Sequence, residues 1–595
     1  MKHLAVLNKY FYKYKWHLLG GILFVGLSNY FRVLQPQIIR QALDLVFENV
    51  AYYKIMDGFE ARSELILGMS KLLLFFGFLV LLLALLMGIF MYFMRQTIIV
   101  MSRLIEYDIR KEIFSHYEAM DLAFFKKNNT GDLMARITED VTKVRMYLGP
   151  ALLYGINLST LCILVIYAMF SVNATLSWYT LLPLPILSIS IYYVSSIINK
   201  KSAQIQKQLA SLNSIAQEVY SGIRVVKSYA QEKQFGKFFL GESNNYKDKT
   251  LELAKVNALF FPLMILLIGI STIITIYIGG ILVAKGQISP GNIAEFVLYV
   301  NMLTWPVTAV GWVASIINQA EASQQRINEF LDTKAEIKNN EDGSTIIEGD
   351  IEFKNVSFVY PDTGTKALDK VSFKLKKGEK LAIIGKTASG KSTIADLLLR
   401  MYNVTQGVIL IDGEPIENKN LNILREKIGF VPQDLFLFSD TVAKNISFAK
   451  EEASVEQIKE YADYAAVKDD IETLPEKFQT LVGERGVTLS GGQKQRISIA
   501  RAFIKEPNIV ILDDCLSAVD SNTEHQILSY LNDAIQDKTA IIITHRISGL
   551  INFDKIIALD QGKIIEEGTH DELIEQKGYY FNILEQQNMD DGENS

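Results

Sequence analysis

The residues with the clearest capacity for chemistry are Gly385-Lys386-Thr387-Ala388-Ser389-Gly390-Lys391-Ser392-Thr393. An apolar run, Lys380–Ile384, precedes them, and an apolar helical run, Thr393–Arg400, follows. This is the spacing GxxxxGK[ST] in its strand–loop–helix setting, which predicts a loop whose backbone N–H groups and helix N-terminus surround phosphates. Lys391 then reaches the β- and γ-phosphates, and the Ser392 hydroxyl ligates Mg²⁺. A chance glycine-rich turn would lack both the strand and the helix. Such a site also needs a buried strand that ends in an aspartate for the metal, and Asn508–Leu512 followed by Asp513 supplies one. The pattern predicts binding and hydrolysis of a nucleoside triphosphate with Mg²⁺.

The elements that must position these residues differ sharply along the chain. At 595 residues and 67.2 kDa it is too long for one core. A mean hydropathy of +0.17 is high for a soluble protein, and the apolar surplus sits in the first half. Six stretches there suit membrane spans: roughly 18–40, 72–94, 147–170, 174–198, 257–283 and 292–317. Lysines and arginines crowd the stretches between the second and third and between the fourth and fifth, which should be cytoplasmic. Both termini are then inside. Each cytoplasmic stretch reads as helices continuing beyond the bilayer, with turning points near Met120–Gly131 and Ser211–Gly222. Residues 1–15 read as an interfacial elbow helix. The net charge of -6 lacks the basic face of a nucleic-acid binder. Two cysteines, Cys162 and Cys515, are too few for a disulfide framework or a thiolate metal site.

Within the spans, Arg32 lines a central pathway or snorkels to the outer interface, and both readings stand. Asn301, Thr304, Trp305 and Trp312 read more readily as helix-packing residues than as pathway lining. The triplet Asn173-Ala174-Thr175 fits a glycosylation sequon but needs no such role. Residues 333–349 are polar and aperiodic, a linker. The expected organisation is an elbow at 1–15, a six-helix membrane domain at 16–332, the linker, an α/β P-loop ATPase domain at 350–588, and an acidic tail at 589–595.

Leu489-Ser490-Gly491-Gly492-Gln493 resembles the signature of ABC ATPases. Other parts follow that family's order. Tyr360 resembles the aromatic that stacks on adenine. Gln433, in Val-Pro-Gln-Asp, resembles the glutamine that touches Mg²⁺. Ser517–Asp520 resembles the D-loop, His545 the switch histidine, and Glu484 the exporter X-loop. In the membrane half, Phe124-Phe125 with Thr130–Leu133 and Arg136–Asp140 resembles the first cytoplasmic loop of B-family exporters, and Ser221–Ala230 resembles the second. The chain is similar throughout to a type IV exporter half-transporter: a membrane α-helical bundle plus a C-terminal α/β ATPase domain.

That resemblance implies a multi-pass protein of the bacterial cytoplasmic membrane that dimerises. ATP lies between the phosphate loop of one chain and Ser490–Gln493 of another, and closure drives alternating access. It implies amphipathic cargo, a drug or lipid, among membrane lipid. Two residues depart from the family pattern. Ala388 stands where glycine is usual, and its cost is slight if φ is negative. Asp514 stands where the base that polarises water is normally glutamate. One methylene fewer withdraws the carboxylate by about 1 Å, a misplacement that can cost about 100-fold. MdlA-like halves of heterodimeric multidrug exporters share the Asp-Asp pair. The favoured expectation is therefore a heterodimer in which this chain supplies the weakly hydrolytic site. The alternatives are a homodimeric lipid flippase or peptide exporter, and a regulatory or channel-like ABC protein.

Overall fold

The computed structural model describes residues 2–55, 61–483, 489–514, 535, 537–544 and 553–593. They fall into two units, Met1–His116 with Gly131–Thr333, and Tyr117–Thr130 with Lys334–Ser595.

The first unit is helical. Its long elements are α1 (Lys15–Ile55), α2 (Ala61–Ala119), α3 (Leu152–Val172), α4 (Ala174–Leu181), α5 (Pro183–Ser221), α6 (Glu232–Ala284) and α7 (Pro290–Leu331). Five stretches among the described residues are long and apolar enough to cross a membrane: Lys15–Val50, Ser63–Ala119, Thr130–Val172, Glu232–Ala284 and Pro290–Leu331. The sixth expected span, 174–198, is divided between α4 and α5. Pro183 opens α5, where its missing N–H is no loss. Asn173 accepts from the Leu176 amide at 2.9 Å, so the sequon-like triplet is a helix N-cap.

The first turning point is where the sequence places it. A short helix, Leu122–Lys127, sits between Ala119 and Thr130, and the Asp121 carboxylate caps it through the Phe124 amide at 3.0 Å. The second lies later than expected. α5 continues through 211–221 and stops at Gly222, and the chain turns over Gly222–Gln231. Nothing in Ser211–Ser221 breaks a helix, so it propagates to the first glycine.

The N-terminal segment is pinned to α2. Lys9 pairs with Glu112 at 2.8 Å and Lys13 with Asp108 at 2.6 Å. Tyr12 and Trp16 remain exposed, which suits aromatic side chains at a headgroup layer.

Where α1 meets the start of α7, a polar cluster joins them. Asp44 accepts from the Ser289 hydroxyl at 2.7 Å and from the Gly291 amide at 2.8 Å, placing a carboxylate on the N-terminus of α7. A Cβ at Gly291 would lie 2.6 Å from the Asp44 carboxylate oxygen and 2.7 Å from the Arg40 carbonyl, so only glycine permits this approach. One turn on, Glu295 is fully buried. It pairs with Arg40 at 3.2 Å and accepts from Tyr299 at 3.0 Å and Asn292 at 3.2 Å.

The second unit holds two sheets. A four-stranded sheet has the order β2-β1-β4-β5, from β1 (Ile351–Val359), β2 (Lys366–Leu375), β4 (Gln406–Ile411) and β5 (Glu414–Pro415). A six-stranded sheet has the order β10-β9-β3-β8-β7-β6. Its strands are β3 (Lys380–Gly385), β6 (Ile428–Val431), β7 (Ile509–Asp513), β8 (Thr539–Ile543), β9 (Lys555–Asp560) and β10 (Lys563–Gly568). The five strands from β9 to β6 run parallel, and β10 closes the edge antiparallel. β7 and β8 are buried throughout, as near-continuous apolar strands covered on both faces must be.

Removing one partner of a buried charge pair costs about 3–5 kcal/mol because the other is left unanswered. Arg40 keeps 27% of its side chain exposed, so the cost here lies near the lower end. Glu295→Ala should therefore destabilise the protein by about 3 kcal/mol. Thermal unfolding in detergent checks this, with Glu295→Gln losing less because it keeps the acceptor for Tyr299.

Candidate nucleotide site

Parallel strands present their carboxyl ends on one edge, where ligands of α/β sheets bind. β3 ends at Gly385, and α8 (Lys391–Leu398) follows the loop. Two strands away, β7 ends at Asp513, which is 4% exposed and in register with Ile543. Gln433 lies two residues past β6, whose Val431 is in register with Leu512. The sheet thus brings Gly385–Thr393, Asp513 and Gln433 to the same edge.

The loop has the shape of an anion cradle. Gly390 has φ +100, and a Cβ there would lie 2.3 Å from the Ala367 carbonyl. A Cβ on Gly385 would lie 2.2 Å from the Leu559 carbonyl and 2.8 Å from Ser389 Oγ. Both positions exclude a side chain. Lys391 is buried, and its Nζ donates to the Gly385 and Lys386 carbonyls, each at 2.8 Å. Burial lowers its pKa from the ordinary value, and the nearby Asp513 and Asp514 carboxylates oppose that. Ser389 is buried with its hydroxyl unbonded, while Ser392 is exposed at the first turn of α8. A buried ammonium, an unanswered hydroxyl and a turn that admits no side chains fit a bound phosphate.

Ala388 differs from expectation. Its φ is +64, in the left-handed region, where an alanine costs about 1 kcal/mol or more relative to glycine. The four-residue turn from Lys386 to Ser389, closed by a 3.2 Å amide–carbonyl bond, imposes that conformation. Asp514 also has positive φ, +47, and its amide bonds the Ile543 carbonyl at 2.8 Å. Aspartate tolerates this region better than most residues.

Ser490 N-caps α9 (Gly491–Phe503). Its hydroxyl accepts from the Gln493 amide at 3.2 Å, and Gln493 Oε1 accepts from the Ser490 amide at 3.1 Å. The Ser-Gly-Gly-Gln motif is thus a capping box, which fixes a helix N-terminus whose remaining donors can face an anion. Leu489 and α9 pack into a different core cluster from the phosphate loop. His545, Glu484 and Ser517–Asp520 lie outside the described residues.

Tyr360 follows β1. Its hydroxyl bonds Thr393 Oγ1 at 3.0 Å, so the expected base-stacking ring is tied to the phosphate-loop helix. Two neighbours had no signal in the sequence. Lys126, from the Leu122–Lys127 helix, lies over the Tyr360 ring at 5.0 Å from its centroid. Asp396, on α8, is pushed up to about 6, chiefly by burial and further by Asp513, against the attraction of Lys126. Only the folded chain brings residues 126 and 360 together.

In the first unit, Asn301 and Thr304 bond carbonyls of their own helix, at Val297 (2.9 Å) and Val300 (3.1 Å). Trp305 and Trp312 both pack on Tyr154 with centroids 5.4 Å apart. Arg32 is half-buried.

A cradle that fits phosphate and a buried aspartate on one sheet edge, joined in one chain to apolar helices of spanning length, define a membrane transport ATPase. The chain belongs to the ABC transporter family. The model of the ABC transporter transmembrane region matches residues 18–307, and the ABC transporter model matches 368–517. It is similar to a probable multidrug resistance ABC transporter ATP-binding/permease protein, YheI, of Bacillus subtilis, 37% identical over 82% of this chain and 84% of that one. To a multidrug resistance-like ATP-binding protein, MdlA, of Buchnera aphidicola it is 33% identical over 98% of both. To an ATP-dependent lipid A-core flippase of Photobacterium profundum it is 34% identical over 80% of this chain and 82% of that one. A solved bacterial Atm1-family ABC exporter with ATP bound shares the fold, with a TM-score of 0.75 and 24% identity over 98% of this chain and 99% of that one. This is a multi-pass membrane ATPase that couples ATP hydrolysis to export, with its ATPase domain in the cytoplasm.

Asp396 generates a pH signature. Its folded-state pKa exceeds the unfolded value, so the native state holds the proton more tightly. Stability from this group is greatest below about pH 4 and falls as pH rises to about 6. Asp396→Asn should raise the unfolding temperature at pH 7.5, and that advantage should shrink toward pH 4.5. Thermal unfolding of the full chain across that range checks both.

Proposed function

We propose that this chain is one half of an exporter of amphipathic molecules, drugs or lipids, and that it pairs with an unlike half whose nucleotide site is the stronger hydrolase. The observation that carries the reading is the Asp513-Asp514 pair at the end of β7. Asp513, Ser392 and Gln433 would hold Mg²⁺, which when bound offsets charge on the transferred phosphate. Lys391, Ser389, the loop amides from Lys386 to Gly390, and Thr393 would hold the phosphates, with Tyr360 under the base. Ser490–Gln493 would close on the nucleotide of the partner chain. His545 would stand beside the γ-phosphate.

Asp514 is the base position. An aspartate carboxylate falls about 1 Å short of where a glutamate places its own, and such a shift costs on the order of 100-fold in rate. Its positive φ supports a local backbone in which aspartate is at ease and glutamate is less so. The intact Leu489–Gln493 segment then serves the partner's site. The relatives named for multidrug resistance favour drugs as cargo, and the one named as a flippase keeps lipid A-like molecules in view.

The chain purified alone and reconstituted in vesicles should hydrolyse ATP slowly. Asp514→Glu should raise that rate by about 10- to 100-fold. Full activity of the unmodified homodimer, or no gain from Asp514→Glu, would sink the asymmetric reading. Lys391→Ala should weaken ATP binding by this chain and leave cargo uptake with the partner dependent on the partner's site.

A further inference from the structure

The first cytoplasmic tip belongs to the same compact unit as the ATPase domain. Leu122 and Ala123 pack against the core that holds β1, β3 and α8. Beside them the Lys126 ammonium lies 5.0 Å from the centroid of Tyr360 and 5.4 Å from that of Tyr402. The two rings stand at 89° with centroids 5.4 Å apart, so Lys126 occupies a corner made of two aromatic rings. Phe358 closes on Tyr360 edge to face, at 4.9 Å and 79°. Among the described residues Lys126 makes no ion pair. Burial pushes its pKa down, but Tyr402, Tyr360 and Asp396 outweigh that and hold it above the ordinary value.

Tyr360 is therefore held by Thr393 at its hydroxyl, by Phe358 and Tyr402 around its ring, and by Lys126 over the ring. The first three holds come from the ATPase domain. The fourth comes from the connection between two spanning helices. A lysine held over two aromatic rings, with Asp396 adding attraction, is sensitive to anything that moves or stacks on those rings, because the cation–π attraction depends on position over the ring. Coupling between two ligands of one ring is also reciprocal: what Lys126 does for a stacked base, the base does for Lys126.

We propose that Lys126 is a positioning residue that orients Tyr360 for the nucleotide base and makes the first cytoplasmic tip responsive to base stacking. This rests on the reading of Tyr360 as the base platform. It assigns the tip a dependence on the base, beyond any dependence on the phosphates.

The test uses the purified transporter and two ligands, ATP and inorganic tripolyphosphate, which carries phosphates without a base. Each displaces a fluorescent nucleotide. Lys126→Met keeps the length of the side chain and removes its charge. It should weaken ATP binding about 5-fold, the factor that ~1 kcal/mol of cation–π energy carries, and leave tripolyphosphate unchanged. Lys126→Arg should restore ATP affinity. Tyr360→Leu should also weaken ATP selectively, and the double variant should lose little more than Tyr360→Leu alone. Equal losses for ATP and tripolyphosphate in Lys126→Met, or no loss while Tyr360→Leu weakens ATP, would overturn the proposal. If Tyr360→Leu leaves ATP as tight as before, the platform reading itself falls, and the proposal with it. The labelling rate of Lys126 by an amine-directed reagent, read by mass spectrometry, should differ between ATP and tripolyphosphate. Equal rates would overturn the claim that the tip senses the base.

Discussion

A buried ammonium must be answered, and the nucleotide site is shaped around the one on Lys391. Two carbonyls of its own loop hold it at 2.8 Å. That contact requires the chain to fold back over itself between Gly385 and Gly390, which in turn requires positions without side chains at both ends of the turn. The loop can fold back only because β3 is fixed between β8 and β9, so its end arrives at a defined height on the sheet edge. β8 then sets the spacing to β7 and hence to Asp513. The carbonyls are poor long-term partners for a cation in a partly buried place. A phosphate would be a better one, and this difference is what lets the site bind tightly without rearranging the sheet.

The same loop helix also ties the site to the rest of the unit. Thr393 bonds Tyr360, Tyr360 packs on Tyr402 and Phe358, and Lys126 rests on both tyrosines. Each link is an ordinary contact of about 1 kcal/mol or less. Their importance lies in sequence: one side chain, Tyr360, separates a hydroxyl on the phosphate helix from Lys126 in the connection between two spanning helices.

Much of this was legible in the sequence because it is local. The phosphate loop at Gly385–Ser392 and the apolar strand that ends at Asp513 each follow from residues a few positions apart. The first tip falls within Met120–Gly131 as expected, whereas the second was misplaced because α5 simply continues to Gly222. Span 174–198 reads as one apolar run, yet the break before Pro183 divides it into two helices. The sign of φ at Ala388 could not be read from its identity, since alanine ordinarily avoids that region and only the closed turn forces it. Lys126 and Asp396 gave no signal at all. Their surroundings are made by residues hundreds of positions away, or by burial that exists only in the folded state.

The two residues that depart from the family pattern can now be set apart by their physics. Ala388 sits at φ +64 and carries a conformational cost, but its methyl lies on an exposed part of the loop and leaves every amide in place. That cost falls on folding, equally with and without a nucleotide. Asp514 sits at φ +47 with its amide bonded to the Ile543 carbonyl, and under the proposed reading its side chain is one methylene shorter than a glutamate base. Under that reading the shortfall falls on the carboxylate and is felt only where a water must be aligned. A residue that strains the loop lowers stability, whereas a residue that holds back a carboxylate lowers rate. Of the two, only Asp514 bears on the proposed pairing with an unlike half.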